Sequence, residues 1–338
     1  MADIININKA PYDFGRSIFL PFQTGPGSAA FVFKSAAVYG VLITVLLFLF
    51  GKMVMGSFVE FMQYAIEMED APGDASEMEV VMKMFAMMGK MALPMLLISI
   101  GGWAIWAMVE AAFLRRAMRG EDDGFLPWRF GKDELRVLFC RLIVGLAGFA
   151  TLILVHFVLG VLLFGVFAGG SGSGVMGVIV GIVTFLGVLA AFALFIFIVI
   201  RLSPASALSI AEDRFALGDT WPVAKGRFWP MFGSYALITV VGYIIANVIQ
   251  TVLIIAFTGS FLAMIPEFEK MGGMPPEEAV TTIMEILTQP SILTGLAVAM
   301  FLYYVFQAIW YLHFAGVAAH ATNLYNTDRA ENSVDVFS

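Results

Sequence analysis

Polar side chains recur along one face of an apolar stretch in the second half of the chain. Thr239, Tyr243, Asn247 and Gln250 fall at i, i+4, i+8 and i+11, which places them on one side of a helix. Polar groups inside a membrane span are costly, so they are candidates for function. Hydrogen bonding to a polar ligand is the chemistry that they could supply. The candidate ligand-binding residues are His156, Tyr243, Asn247, Gln250, Gln307 and His313.

This polar stripe has two interpretations. It could line a cavity between the third, fifth and sixth spans that binds or moves a small polar or amphiphilic ligand. It could instead hydrogen-bond neighbouring helices, a contact typically worth about 1 kcal/mol or less. The sequence leaves both interpretations open.

Catalytic patterns are absent from the sequence. Its histidines, His156, His313 and His320, lack metal-ligand spacing, and Cys140 is the single cysteine. No phosphate-binding glycine loop, nucleophile elbow or carboxylate pair in a polar setting occurs. We therefore predict a protein that is not an enzyme, with no catalytic residue, metal or cofactor. Glu110 is expected to pair with Arg115 or Arg116, and proton transfer is the alternative.

A run of methionines between residues 78 and 91 could in principle bind copper. Thioethers suit Cu(I), but no histidine or cysteine accompanies them in this stretch. Methionine also forms adaptable surfaces for varied partners. We interpret this run as a flexible apolar surface for lipid or a partner rather than a copper site.

The amino-acid composition indicates that the helices carrying these residues lie in a lipid bilayer. The 338 residues are 60% hydrophobic and only 13% charged, which a soluble domain could not bury. About 20 apolar residues suffice to cross a bilayer. We predict an all-α fold, a polytopic membrane helix bundle with about six transmembrane helices and amphipathic interfacial helices. The predicted spans are 31–51, 91–114, 138–167, 175–200, 231–257 and 291–316.

The domain organisation follows from these spans. Residues 1–30 form a cytoplasmic N-terminal interfacial segment, 31–322 the six-helix transmembrane domain and 323–338 a cytoplasmic C-terminal tail. Outside the membrane, Val54–Glu69, Ser76–Met88 and Pro275–Leu287 are predicted as separate amphipathic helices.

Arginine and lysine cluster in two loops, after the second and fourth spans. The positive-inside rule then places both loops and both termini in the cytoplasm.

With a net charge of −7, the chain lacks the basic surface that is typical of nucleic-acid-binding proteins. Arginine and interfacial tryptophan recur in both loops, so we predict a partner or lipid interface there. Its members are Arg115, Arg116, Trp128, Arg129, Arg201, Trp221, Lys225, Arg227 and Trp229.

The second basic loop also carries helix-end signals. Ser203 is expected to cap a helix that has Pro204 at its first position and that ends at Gly218. Asp219 is expected to cap a second short helix that Gly226 ends. Each loop contains, in order, arginine at the end of the preceding span, an acidic turn, a tryptophan, and basic and aromatic residues before the next span. Duplication of one helix–loop–helix unit would explain that pattern, and the general need for interfacial anchors is the alternative.

Two segments resemble a known set of bacterial membrane proteins. They are the run from Gly218 to Trp229 with the preceding Arg201-Leu202-Ser203, and Phe130–Arg136. The first resembles the YciC-like family and the membrane domain of some glycerophosphodiester phosphodiesterases, and Phe130–Arg136 resembles a segment of alphaproteobacterial relatives. The resemblance implies a six-helix bundle of unknown function in the bacterial inner membrane. The catalytic barrel of the phosphodiesterases is absent, so the resemblance implies no phosphodiesterase activity.

The sequence thus predicts a non-enzymatic scaffold or assembly factor of the inner membrane. Its expected partners are membrane lipids and another membrane protein or a second copy of the chain. The alternative is a permease-like transporter that uses the polar stripe.

Overall fold

A computed structural model describes residues 11–70, 77–121, 129–168, 174–262, 278, 282, 285–286 and 288–337. Within them the chain is helical and contains no strand. The helices are α1 Phe14–Phe19, α2 Ser28–Asp70, α3 Glu77–Arg119, α4 Lys132–Ala168, α5 Gly174–Leu202, α6 Ala205–Ala211, α7 Thr220–Ala224, α8 Phe228–Leu262 and α9 Pro290–Phe337. Short 3₁₀ turns occupy Leu20–Phe22 and Leu217–Asp219.

Six of the helices in the described part of the chain, α2, α3, α4, α5, α8 and α9, are long and apolar enough to cross a membrane. A helix satisfies its backbone hydrogen bonds internally, which is the condition for crossing hydrocarbon. The predicted fold class, an all-α polytopic membrane bundle, is therefore confirmed. No residue in the apolar window of α5 is fully buried within the chain, so part of the surface of this helix is left to lipid or another molecule.

The outward segments differ from the sequence expectation. Val54–Glu69 is the continuation of α2 rather than a separate helix, and residues 77–88 likewise begin α3. At 43 residues, α2 is about 65 Å long, roughly twice the hydrocarbon thickness. Gly51 does not break it, since one glycine costs a helix only about 1 kcal/mol. Residues 71–76 and most of 275–287 lie outside the described residues.

The second basic loop also folds differently in detail. Helix α6 ends at Ala211, and Asp213 follows with a left-handed φ of 53°, so the helix stops before Gly218. The Ser203 hydroxyl donates to the carbonyl of Ile200 instead of capping α6. Asp219 precedes α7 without a side-chain cap, because its carboxylate binds Arg214 at 2.5 Å. Gly226, at a φ of 80°, follows α7 as expected.

The chain divides into two compact units. The first comprises residues 1–26, 110–238 and 312–338, and the second comprises 27–109 and 239–311. In the first unit, the largest fully buried apolar side chains include Phe113, Leu208 and Met231. Helix α6 is buried along nearly its whole length, so the second basic loop belongs to the core of this unit.

Aromatic side chains pack against one another in the second unit. Tyr39 lies 5.7 Å from Trp106, whose ring lies 5.3 Å from that of Tyr311. The helices α8 and α9 approach closely at Gly242, where an added Cβ would lie 2.1 Å from Nε1 of Trp310. Absence of a side chain at Gly242 therefore makes room for the indole.

Candidate functional site

Buried ion pairs connect α3 to α4 in the first unit. The Glu110 carboxylate is 1% exposed and accepts two hydrogen bonds from Arg141, each 2.7 Å long. Arg115 is fully buried and binds Glu134 at 2.5 Å, while Arg116 donates to the carbonyl of Pro26. The bidentate partner of Glu110 therefore comes from another helix, whereas the sequence suggested a neighbour on its own helix.

Glu134 has two roles at the start of α4. Its second carboxylate oxygen accepts from the backbone N–H of Gly131 at 2.8 Å, three residues earlier. This is the return half of a capping box, which satisfies a backbone donor at the helix start. The same side chain thereby starts α4 and neutralises Arg115 of α3. Helix initiation and helix pairing thus depend on one carboxylate.

Asp213 links the two basic loops. Its carboxylate accepts from Arg136 at 2.5 Å and from Arg119 at 3.2 Å, and these arginines flank the first loop. Arg119 also donates to the backbone carbonyl of Ile210 at 2.9 Å. The hydrogen bond from Arg136 lowers the pKa of Asp213 below its ordinary value, although the side chain is exposed. These contacts join the described parts of the two loops, residues 115–121 and 129–136 of the first and residues 201–229 of the second, and we call this region the basic platform.

The C-terminal end of α9 joins the same unit through charge. Arg227 forms a buried ion pair with Asp328, and Arg329 binds Glu212 at 3.2 Å. Residues 323–338 were predicted as a tail, but α9 is helical through Phe337. The segment around Asp328 is therefore part of the folded platform.

The N-terminal segment is also held by specific contacts. Ser17 is fully buried and lies 3.1 Å from the hydroxyl of Ser234 on α8. On α9, Nδ1 of His313 lies 2.5 Å from the carbonyl of Ile18, and Nε2 of His320 accepts from the N–H of Asp13 at 3.4 Å. Two of the three histidines thus fasten the N-terminal segment, a role that sequence reasoning missed. Their spacing of seven residues on one helix face was the available signal.

Arg201, at the end of α5, has a different environment. Its guanidinium lies 4.7 Å from the ring centre of Trp221, 5.2 Å from that of Phe197 and 5.9 Å from that of Phe228. One N–H donates to the carbonyl of Trp221 at 3.2 Å. Aromatic faces attract guanidinium groups, so these contacts hold the charge in one place.

The predicted interface residues divide by exposure. Arg115, Arg116 and Arg227 are buried, and their guanidinium groups contact the chain itself. Trp128 lies outside the described residues. The members whose side chains face outward are Arg129, Trp221, Lys225 and Trp229, with Arg201 half-buried among its aromatic rings.

The predicted ligand-binding residues of the second unit do not come together to form one binding site in the described structure. Tyr243, Asn247 and Gln250 are exposed on α8, and the Asn247 amide donates to the carbonyl of Tyr243 at 2.7 Å. Gln307 donates along its own helix to the hydroxyl of Tyr311 at 3.0 Å. In the part of the chain that the structure describes, no hydrogen bond joins Gln307 to the stripe on α8.

The two remaining candidates lie in the first unit. His156 is exposed and its Nδ1 lies 2.8 Å from the carbonyl of Leu152, while His313 binds the N-terminal segment. A cavity of about 250 Å³ between α4 and α5 is lined almost entirely by apolar groups, with Thr184 the exception. Among the described residues, no group of three or more histidine, cysteine or carboxylate side chains could hold a metal ion.

Comparison with known proteins adds no relative. No protein-family model, curated protein or solved structure matches the chain. The resemblance to YciC-like proteins therefore stays a prediction, and the function is argued from the geometry alone.

Proposed function

We propose that this chain is a non-enzymatic scaffold or assembly factor of the bacterial inner membrane that binds lipids and another membrane protein or a second copy of itself. One observation carries the proposal. Tyr243, Asn247 and Gln250 are exposed on the outside of α8, and Tyr243 lies near the middle of its span Phe228–Ile255. Hydrocarbon cannot satisfy those groups, whereas a partner helix can.

The hydrogen-bonding capacity of this polar stripe suits another helix. The Asn247 amide uses one N–H on its own helix, which leaves its second N–H and its oxygen for a partner. Gln250 adds a second exposed amide. Amides both donate and accept, so the stripe is complementary to polar groups on a partner and to its own copy. Asparagine and glutamine join membrane helices in this way.

The charged residues support a binding role over catalysis. Glu110, Glu134 and Asp133 are buried or nearly so and contact arginines of the same unit. Such pairs commit these three carboxylates to structural ion pairs, which does not favour a role in general acid–base catalysis. In this proposal both termini and the basic platform face the cytoplasm, in agreement with the arginine distribution.

The test is purification in mild detergent from native membranes. We expect the chain to retain a stoichiometric partner, and the double variant Asn247→Leu, Gln250→Leu to lose it while folding normally. The matched control is Ile244→Leu with Val248→Leu, because these exposed residues lie on the same helix. A wild-type chain that purifies without a partner or an ordered lipid contradicts the proposal.

A transporter remains the second candidate, supported by the same exposed amides. In that case the double variant abolishes flux of a polar ligand in proteoliposomes and leaves association unchanged. Unchanged flux eliminates this candidate.

A further inference from the structure

Arg201 lies where the apolar run of α5 ends. It follows Ile200 and is the penultimate residue of that helix. Its side chain is surrounded by Phe197, Trp221 and Phe228. A charge at this boundary lies at the level of lipid headgroups, and the rings restrict its conformations.

The hydrogen-bond donors of Arg201 are largely unused. Arg115, Arg119 and Arg136 each contact a carboxylate, whereas no carboxylate in the described chain forms an ion pair with Arg201. The Nε atom of Arg201 is buried without a hydrogen-bond partner, and one Nη atom donates to the Trp221 carbonyl. A guanidinium has five N–H donors in a planar fork that fits two phosphate oxygens. Among the described residues, Arg201 is therefore a cation without a counter-ion.

The neighbouring tryptophans indicate the source of that anion. Trp221 is 49% exposed and Trp229 is 73% exposed, which is unusual for such large apolar side chains. Tryptophan is enriched where hydrocarbon meets headgroups, because its ring is apolar and its N–H is polar. Trp221 lies against Arg201, and Trp229 lies 5.3 Å from Phe228, another ring beside Arg201. An arginine in this aromatic setting at the end of a span matches the phosphate and upper acyl region of a phospholipid.

We propose that Arg201, with Trp221 and Trp229, binds the headgroup phosphate of an anionic phospholipid such as phosphatidylglycerol. This inference rests on the proposed membrane-scaffold function and names one lipid class that the scaffold recognises. Zwitterionic headgroups carry a cation of their own, which the arginine repels. An anionic headgroup supplies a negative charge for Arg201 and brings no competing cation.

The experiment titrates the full chain in mild detergent with phosphatidylglycerol or phosphatidylcholine and counts bound lipids by native mass spectrometry. Arg201→Gln should weaken phosphatidylglycerol binding about tenfold, since a hydrogen-bonded charge contributes at least that factor. Binding of phosphatidylcholine should not change. Equal phosphatidylglycerol binding by Arg201→Gln and the wild type overturns the proposal.

Arg214→Gln is the matched control, because it removes the same charge from the same loop at an exposed residue that already binds Asp219. An equal loss in Arg214→Gln would mean that diffuse charge attracts the lipid, which overturns the assignment. Excess inorganic phosphate should not displace the lipid. Full displacement would identify a free anion as the ligand and would likewise overturn it.

Trp221→Leu provides a second variant if Arg201→Gln does not fold. It keeps the charge and removes the closest ring, so phosphatidylglycerol binding should again weaken, and unchanged binding contradicts the proposal. The membrane partner is tested separately through α8. Loss of the lipid site with retention of the partner, or the reverse, thus shows which of the two proposals fails.

Discussion

Glu110 and Arg115 in the first unit are buried together with their counter-ions, and this determines what each residue can do. Glu110 has both carboxylate oxygens occupied by Arg141, and Arg115 is neutralised by Glu134. A buried pair contributes little net stability, but removal of one partner leaves a charge that water cannot reach. These side chains therefore hold the fold of the platform and are unavailable as proton carriers or ligand contacts.

Glu110→Gln tests this account of the pair. We expect a loss of about 2 kcal/mol in stability, because the carboxylate of Glu110 is buried and Arg141 loses its charged partner. The matched control is Glu60→Gln, whose exposed pair with Lys90 should contribute about 1 kcal/mol or less. Thermal unfolding in detergent, followed by tryptophan fluorescence, measures both. Equal shifts in the two variants would contradict a structural role for Glu110.

Asp213 predicts a pH dependence of stability. Its pKa is lowered in the folded chain, first by the hydrogen bond from Arg136 and then by the positive charge of that residue. The stabilisation is therefore present above the ordinary carboxylate pKa of about 4 and is lost as the pH falls through the folded pKa. The difference in melting temperature between the wild type and Asp213→Asn should shrink below about pH 4. A difference that stays constant through this range would show that Asp213 contributes nothing through its charge.

The close contact between α8 and α9 in the second unit occurs at a glycine. Trp310 of α9 lies against Gly242 of α8, at a distance that leaves no room for a methyl group. Aromatic side chains need such space because tightly packed helices tolerate little extra volume. The α8–α9 contact is therefore fixed by a single small residue facing the largest side chain.

Gly242→Ala should destabilise the chain by about 1–3 kcal/mol, because the indole must move to admit the methyl group. Gly181→Ala is the matched control, since that glycine lies in another span and has open space around its Cα. The control should be neutral or slightly stabilising because alanine favours the helix. The melting temperatures of both variants test the contact, and similar values would contradict it.

Sequence reasoning at the scale of elements succeeded where hydrophobicity decides the outcome. The six spans were predictable because lipid requires long apolar helices. The helix ends were less predictable, since the polar residues that precede α6 and α7 bind other nearby groups instead of capping those helices. Asp219 illustrates this, because its carboxylate binds Arg214 and so does not cap α7.

The candidate site was predictable only in part, because exposure depends on tertiary structure. Arg115 and Arg129 belong to the same basic loop, yet the first is fully buried and the second is exposed. The sequence located the polar stripe of α8 but could not indicate whether it faces inward or outward. Arg141 and Asp328 were missed as partners because their contacts span 31 and 101 residues.

The basic platform and the polar stripe indicate two kinds of recognition by the whole molecule. In the proposed account, the first unit presents Arg201, Trp221 and Trp229 for lipid, and the second presents Tyr243, Asn247 and Gln250 for a helix. Each recognition surface consists of side chains that the chain itself leaves exposed or without a counter-ion. A scaffold requires such surfaces and needs no catalytic group.

The topology of the whole chain gives a further prediction. If the platform is cytoplasmic, Arg129→Cys should react with a membrane-impermeant thiol reagent only after cells are permeabilised. Met82 is 65% exposed and lies near the start of α3, at the end of that helix away from the basic loop. Met82→Cys should therefore react in intact cells. Cys140 is buried and provides the low background. The reverse labelling pattern would contradict the proposed orientation.

Photocrosslinking in living cells tests the central claim, that α8 contacts another protein within the membrane. A photoreactive phenylalanine analogue at Tyr243, which is 66% exposed, should form an adduct of discrete higher mass. The same analogue at Phe157, an apolar residue of α4 that is 67% exposed, is the control and should yield lipid adducts alone. Absence of a protein adduct at Tyr243, or equal adducts at both positions, would contradict the claim.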